Sequence, residues 1–123
     1  GCLRQRVNIS RYMETLKTLI ALTQDDYNHV LSSYPDSKKL VVEGDRIADL
    51  PDKVRRSGAV LGKSYMVLVN LKTSPDYHPS REDMDAFYEI TGMFGREGFE
   101  IKVGYAQSAD IKGARVEVIY QES

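Results

Sequence analysis

The sequence predicts an α+β fold: a mixed, mostly four-stranded sheet with helices packed on it, in the order α-α-β-β-α-β-β. Three observations support this. The run at 65–71 (YMVLVNL) is almost unbroken apolar and β-branched, which is typical of a strand covered on both faces. Apolar residues recur at helical spacing before and after that run. Two segments of alternating apolar residues then close the chain, as expected of further strands.

The first 34 residues predict two consecutive helices. From Val7 to Leu22, apolar residues fall on one helical stripe, and no Gly or Pro interrupts it. Thr23 is the predicted N-cap of the second helix, because Asp26 stands three positions later as in a capping box. Pro35 ends that helix. We therefore expect one domain over residues 1–123, with two helices in 7–34 and the sheet-containing part in 38–121.

The middle of the chain predicts a short strand, a turn, the central strand and a helix. The strand is KKLVVE at 38–43, and a turn is expected at 49–52, followed by a solvated basic stretch at 53–56. Ser80 and Asp83 form a second capping-box pattern at the start of the helix after the central strand. Gly98 is the expected C-cap of that helix.

The C-terminal segments predict two strands. Odd-numbered positions are apolar from Ile101 to Tyr105, and even-numbered positions are apolar from Val116 to Tyr120. The helix before Ile101 allows its flanking strands to run parallel, and the last two strands are expected to form an antiparallel hairpin. Their connector, 107–113, is too long for a two-residue turn, and Gly113 is free to adopt positive φ.

Composition excludes little. The chain has 123 residues, of which 41% are hydrophobic and 28% are charged, as in ordinary globular proteins. With 17 basic and 18 acidic residues, the net charge of −1 gives no electrostatic reason to expect nucleic acid or an anionic membrane as a partner. Cys2 is the only cysteine, which fits a reducing, cytoplasmic compartment. Its place near the first residue also leaves open a lipid-bearing cysteine in the cell envelope.

No catalytic or metal-binding motif stands out. His29 and His78 are far apart and lack partner ligands, and neither HExxH nor a paired CxxC occurs. The run at 58–64 (GAVLGKS) is not a phosphate loop, because Ser57 stands where that motif needs Gly. Asp25 and Asp26 lie in the first turn of a helix, where carboxylates interact favourably with the helix dipole. No cofactor is expected in this chain.

The order of segments resembles the C-terminal domain of the tubulin/FtsZ family. The matching pieces are MVLVNLKTSPD (66–76), the helix at 80–94, IKVGYAQSAD (101–110) and ARVEVIY (114–120). In that family a strand like ILVNI leads into a Gly/Pro loop and a helix. A strand ending in a GxxxD-type loop and a final strand like RVTVIA follow.

The segment LIALTQDD (19–26) resembles the family's junction between a long helix and an acidic loop. In FtsZ that loop enters the next subunit's nucleotide pocket, where its acids polarise the water that attacks GTP. The resemblance implies that Asp26 acts in trans, with Asp25 able to substitute if the loop is remodelled. It also implies a contact face formed by Thr23, Gln24, Asp25 and Asp26. Ala21 and Thr23 stand where the family pattern has Asn and Asp, so only Asp26 matches that pattern.

The resemblance implies a role in cytoskeletal polymer assembly, as in cell division. The implied contact face would join subunits head to tail, and such heterologous contacts generate filaments. The chain lacks the family's GGGTGTG-like loop, so GTP is expected only in a partner domain or subunit, and the isolated chain is not expected to be an enzyme. Its partners would be subunits of its own kind or a nucleotide-binding domain. Two alternatives stay open: an envelope lipoprotein or assembly-accessory domain anchored through Cys2, and a small-molecule-binding domain with its ligand near Tyr77 and His78.

Overall fold

A computed structural model describes residues 22–122. Its elements are α1 (Gln24–Ser33), β1 (Lys38–Gly44), a 3-10 turn (Ile47–Asp49), α2 (Leu50–Arg56), β2 (Ser64–Thr73), α3 (Arg81–Met93), β3 (Gly95–Gln107) and β4 (Ala114–Tyr120). Apart from Leu22, the helix predicted over 7–22 lies outside the described residues. None of the helices within 22–122 is long and apolar enough to cross a membrane.

The strands form one mixed sheet in the order β1-β4-β2-β3. β2 runs parallel to β3 on one side and antiparallel to β4 on the other, and β4 also pairs antiparallel with β1. The predicted α+β class and four-stranded mixed sheet are therefore confirmed. So is the position of the run at 65–71 inside the sheet, where every residue from Met66 to Leu71 is buried.

The predicted final hairpin is wrong, because β4 does not pair with β3. The connector crosses the end of β2, where the Ser108 N–H donates to the Thr73 carbonyl (3.0 Å) and the Ser74 N–H donates to the Gly113 carbonyl (3.1 Å). Gly113 has a φ of 82°, and a Cβ there would lie 2.5 Å from the carbonyl oxygen of Gly44. Glycine thus lets the chain enter between β1 and β2, where the apolar β4 is covered on both edges.

The inner face of the sheet carries the main core. α2, α3 and the 3-10 turn pack on this face. The fully or almost fully buried side chains that meet there include Ile47, Leu50, Val54, Val67, Val69, Leu71, Met84, Phe87, Ile90, Val116 and Val118. Each large apolar side chain buried in this way stabilises the fold by roughly 1.5–3 kcal/mol.

The predictions of a turn at 49–52 and a solvated stretch at 53–56 are wrong in backbone conformation. The segment forms the end of the 3-10 turn and then α2. Leu50 and Val54 are four positions apart and both are fully buried, so they anchor one face of this short helix. Pro51 occupies the helix start, where a missing N–H costs nothing. The basic residues remain on the solvent side.

The end of α3 also differs from the prediction. Gly98 is not the C-cap, because α3 ends at Met93 and β3 begins at Gly95. Gly98 has a φ of 76° and lies within an irregular stretch of β3. There the pairing shifts from Ser64 with Gly95 to Met66 with Glu100. The ladder between β2 and β3 is therefore regular only from Glu100 onward.

The outer face of the sheet is partly covered by α1. Val30 is fully buried against Met66, Leu68 and Ile119, and the second core consists of these four buried residues. At the end of the helix, the Tyr34 ring stacks on Tyr65 with a centroid distance of 6.2 Å. These contacts hold α1 against the middle of the sheet and fix the position of its first turn.

Candidate functional site

The predicted acidic segment, 23–26, lies at the start of α1. The Thr23 hydroxyl accepts the N–H of Asp26 (3.3 Å), and the Asp26 carboxylate accepts both the Thr23 N–H (2.8 Å) and its hydroxyl (3.1 Å). The predicted N-cap and capping box are therefore confirmed. Gln24 lies along the first turn, where its amide donates to Asn28 (3.1 Å).

Asp26 is held from two sides. Its Oδ2 accepts from Thr23, and its Oδ1 is 3.4 Å from the Lys102 Nζ on β3. The hydrogen bond from the Thr23 N–H, followed by the Thr23 hydroxyl and Lys102, holds the pKa of Asp26 below its ordinary value. Asp26 is thus ionised and used within the chain, with its side chain 29% exposed.

Asp25 differs from its neighbour. It is exposed, and it forms no ion pair or side-chain hydrogen bond with any residue in the described range. Because it lies in the first turn of a ten-residue helix, its carboxylate is held beside the positive end of the helix dipole. Of the two acids at this helix start, Asp25 is therefore the one whose carboxylate has no partner among residues 22–122.

The first turn of α1 is fixed by a polar contact that the sequence did not predict. The Asn70 amide on β2 donates to the Tyr27 hydroxyl (2.9 Å), and Glu117 on β4 lies beside the same hydroxyl. Burial, and then Glu117, raise the pKa of Tyr27 to about 12. Asn70 is the only polar residue between Met66 and Leu71, which is the one sequence signal that could have indicated a specific partner.

Tyr77, proposed as a ligand-binding residue, is a structural residue. It is 8% exposed, and its hydroxyl accepts the Ile47 N–H (2.8 Å) and donates to the buried Asp83 carboxylate (2.9 Å). Both hydrogen-bonding functions of the hydroxyl are therefore used within the chain. His78 is exposed, and its carbonyl accepts from Arg46 (3.2 Å). Residues 22–122 hold no cluster of side chains suited to a metal ion.

A shallow cleft lies elsewhere, at the end of the sheet where β4 begins. Its volume is about 240 Å³, and its charged lining residues are Glu43, Asp110, Lys112 and Arg115. Arg115 and Glu43 pair with each other across β1 and β4 (2.5 Å). Typical small-molecule sites are larger, apolar clefts of roughly 300–1,000 Å³. The cleft is thus a poor match to the predicted ligand site, and it does not include Tyr77 or His78.

Comparison with known structures identifies the fold of this chain, whereas comparison of its sequence identifies no family. No protein family and no curated protein matches the chain. Among solved structures, the chain is similar to a point mutant of FtsZ from M. jannaschii, with a TM-score of 0.62 and 13% sequence identity. The match covers 93% of this chain and 37% of the FtsZ chain. The chain therefore has a tubulin/FtsZ-like fold, and it spans little more than a third of the length of that protein.

Proposed function

We propose that this chain is an FtsZ-like assembly domain that supplies one face of a head-to-tail contact between subunits. The observation that carries the proposal is an exposed acid, Asp25, in the first turn of a helix that packs on an FtsZ-like sheet. Such a contact joins two different surfaces, so it propagates into a filament. The contact face consists of Thr23, Gln24, Asp25 and Asp26.

The two acids take different roles in this proposal. Asp25 reaches the nucleotide bound by the neighbouring subunit, where its carboxylate accepts a hydrogen bond from the attacking water and orients it. Asp26 is a positioning residue, because Thr23 and Lys102 already occupy its carboxylate. GTP is bound by the neighbour, and this chain contributes only the side of the site that faces it.

The proposal is tested by mixing the chain with the GTP-binding FtsZ-like subunit of the same organism. Polymer is measured by pelleting and light scattering, and turnover is measured as phosphate release. We expect the wild-type chain to pellet with the partner and to raise phosphate release. Asp25→Asn should lower phosphate release by roughly a hundredfold, within the usual range for a lost general base.

Asp85→Asn is the matched control, because Asp85 is an exposed acid on α3 and lies away from the contact face. It should leave both pelleting and phosphate release unchanged. Equal phosphate release with wild-type chain and with Asp25→Asn would contradict the role of Asp25. Failure of the wild-type chain to pellet with the partner would contradict the assembly function itself.

A further inference from the structure

β3 is an edge strand among the four strands that the structure describes. It has 13 residues, against ten in β2 and seven each in β1 and β4, and it pairs with β2 on one side only among the described strands. Its other side presents a row of backbone N–H and C=O groups, which is a template for another strand.

Within the part of the chain that the structure describes, no strand covers the side chains of β3 on that side. Ile101, Val103 and Tyr105 point to the inner face and extend the main core, yet all three are only partly buried. Val67, Val69 and Leu71, which lie beside them on β2, are fully buried. A further strand next to β3 would remove this apolar row from water, and such burial is favourable by about 25 cal/mol per Å².

We infer that β3 pairs antiparallel with β3 of a second copy of this chain, about a twofold axis through Val103. An isologous contact needs a self-complementary strand, since each residue must suit the residue that the symmetry places opposite it. The same inner face must also continue across the pair, so odd-numbered residues of one copy face odd-numbered residues of the other.

The register follows from charge and from the irregular stretch around Gly98. An axis through Lys102 would place two ammonium groups directly opposite each other, which is unfavourable. An axis through Ile101 would leave only Glu100 to Lys102 in regular pairing, because the ladder is irregular before Glu100.

An axis through Val103 pairs residues 100–106, which are seven of the eight residues in the regular ladder from Glu100 to Gln107. It places Ile101 opposite the partner's Tyr105, which is a favourable β-branched and aromatic pair. Glu100 and Lys102 then lie opposite the partner's small residues, Ala106 and Gly104, so no like charges lie directly opposite each other. The strand is therefore compatible with itself in this register.

The other edge strand, β1, is less suited to such a contact. It has seven residues and begins with Lys38 and Lys39, both exposed, and lysines at an edge discourage pairing. Its inner row holds two partly buried apolar residues, Leu40 and Val42. This difference makes β1 a natural control for β3, and the inference does not depend on the function proposed above.

Disulfide formation tests the pairing and its register. In a Cys2→Ser background, single cysteines replace Ile101, Val103 or Tyr105, and dimer is measured on non-reducing gels after mild oxidation. Directly opposite residues have Cβ atoms about 4.5–5.5 Å apart, which a disulfide spans after a small adjustment. We expect V103C to form most of the dimer. In I101C and Y105C, the two cysteines of a dimer would be offset by four residues along the strand pair. These two variants should therefore form little disulfide-linked dimer.

Sedimentation velocity tests the contact without cysteine. Wild-type chain should dimerise weakly at high concentration, since a single strand pair is a small interface. Val103→Lys should remain monomeric, and Val41→Lys on β1 should dimerise like wild type. If Val103→Lys fails to fold, the cysteine series decides. A monomeric wild-type chain, or dimer that forms equally with all three cysteines, would overturn the inference.

Discussion

Two helices of this chain begin with the same local motif in different surroundings. At α1, Thr23 and Asp26 cap the helix, and at α3, Ser80 and Asp83 do the same. The hydrogen-bond lengths nearly agree: the cap hydroxyl accepts at 3.3 and 3.2 Å, and the carboxylate accepts the cap N–H at 2.8 and 2.9 Å. The Asp83 side chain, however, is fully buried, whereas that of Asp26 is 29% exposed.

The buried carboxylate of Asp83 forms a junction between separate segments of the fold. Besides Ser80, the Asp83 carboxylate accepts from Arg46, from the Tyr77 hydroxyl (2.9 Å) and from the Ala48 N–H (3.0 Å). It thereby ties the segment after β1 to the start of α3. Burial alone would raise the pKa of Asp83, but these hydrogen bonds and the Arg46 charge hold it below its ordinary value. A capping box therefore predicts a helix start, and the surrounding chain decides whether its acid is structural or faces outward.

The largest expected effect is the loss of the buried carboxylate. Asp83→Asn removes the charge that Arg46 faces and places an amide N–H₂ where a donor already points. We expect a loss of about 3 kcal/mol in the free energy of unfolding, measured by urea denaturation. Asp85→Asn, two positions along α3 and exposed, should change it by less than about 0.5 kcal/mol. Equal stability of the two variants would show that the junction is not important to the fold.

Lowering the pH should destabilise the fold through the same Asp83 carboxylate. Because the folded pKa of Asp83 lies below its unfolded value, its stabilisation is complete above the unfolded value of about 3.9 and is lost as pH falls through the folded pKa. Wild-type stability should therefore fall more steeply than that of Asp83→Asn as pH decreases below about 4. Parallel pH profiles from urea denaturation would refute this assignment. Asp26 titrates in both proteins and cancels in the comparison.

Local signals account for most of what the sequence predicted correctly. Both capping boxes, the covered central run at 65–71 and the alternating segments after Glu100 specify their elements without help from distant residues. The errors fall where distant contacts decide. The place of β4 between β1 and β2 depends on Gly113 passing close to Gly44. α2 is stabilised because Leu50 and Val54 pack against core residues that lie far from 49–56 in the sequence.

The candidate site also contains residues that a local motif predicts and residues that only distant contacts bring to it. Thr23 and Asp26 were predictable because their motif lies within four residues. The partners that fix this turn, Lys102 and Asn70, come from β3 and β2 and are 76 and 43 positions away from Asp26 and Tyr27. No local pattern links residues so far apart. The sequence therefore could not show that Lys102 engages Asp26, or that Asp25 has no partner within residues 22–122.

Removing the hydroxyl that caps each helix should lower the free energy of unfolding by different amounts at the two helix starts. Both losses should be smaller than that of Asp83→Asn. Ser80→Ala leaves the Asp83 N–H without a partner beside a buried side chain, and we expect a loss of about 1–2 kcal/mol. Thr23→Ala should cost about 0.5–1 kcal/mol, because water can reach the exposed N–H of Asp26. Thermal and urea unfolding of both variants measure the difference. A greater loss for Thr23→Ala would mean that α1 is the more firmly coupled helix.

The smallest effect on stability is expected at the residue with the largest proposed role. Asp25 is exposed and has no partner within residues 22–122, so Asp25→Asn should change the free energy of unfolding by less than about 0.5 kcal/mol. Under the assembly proposal, the same variant loses most of its effect on GTP turnover in the partner subunit. A residue that contributes little to its own fold while controlling a neighbour's reaction acts across the contact. If Asp25→Asn instead destabilised the chain as much as Thr23→Ala, the acid would be explained by the helix dipole alone.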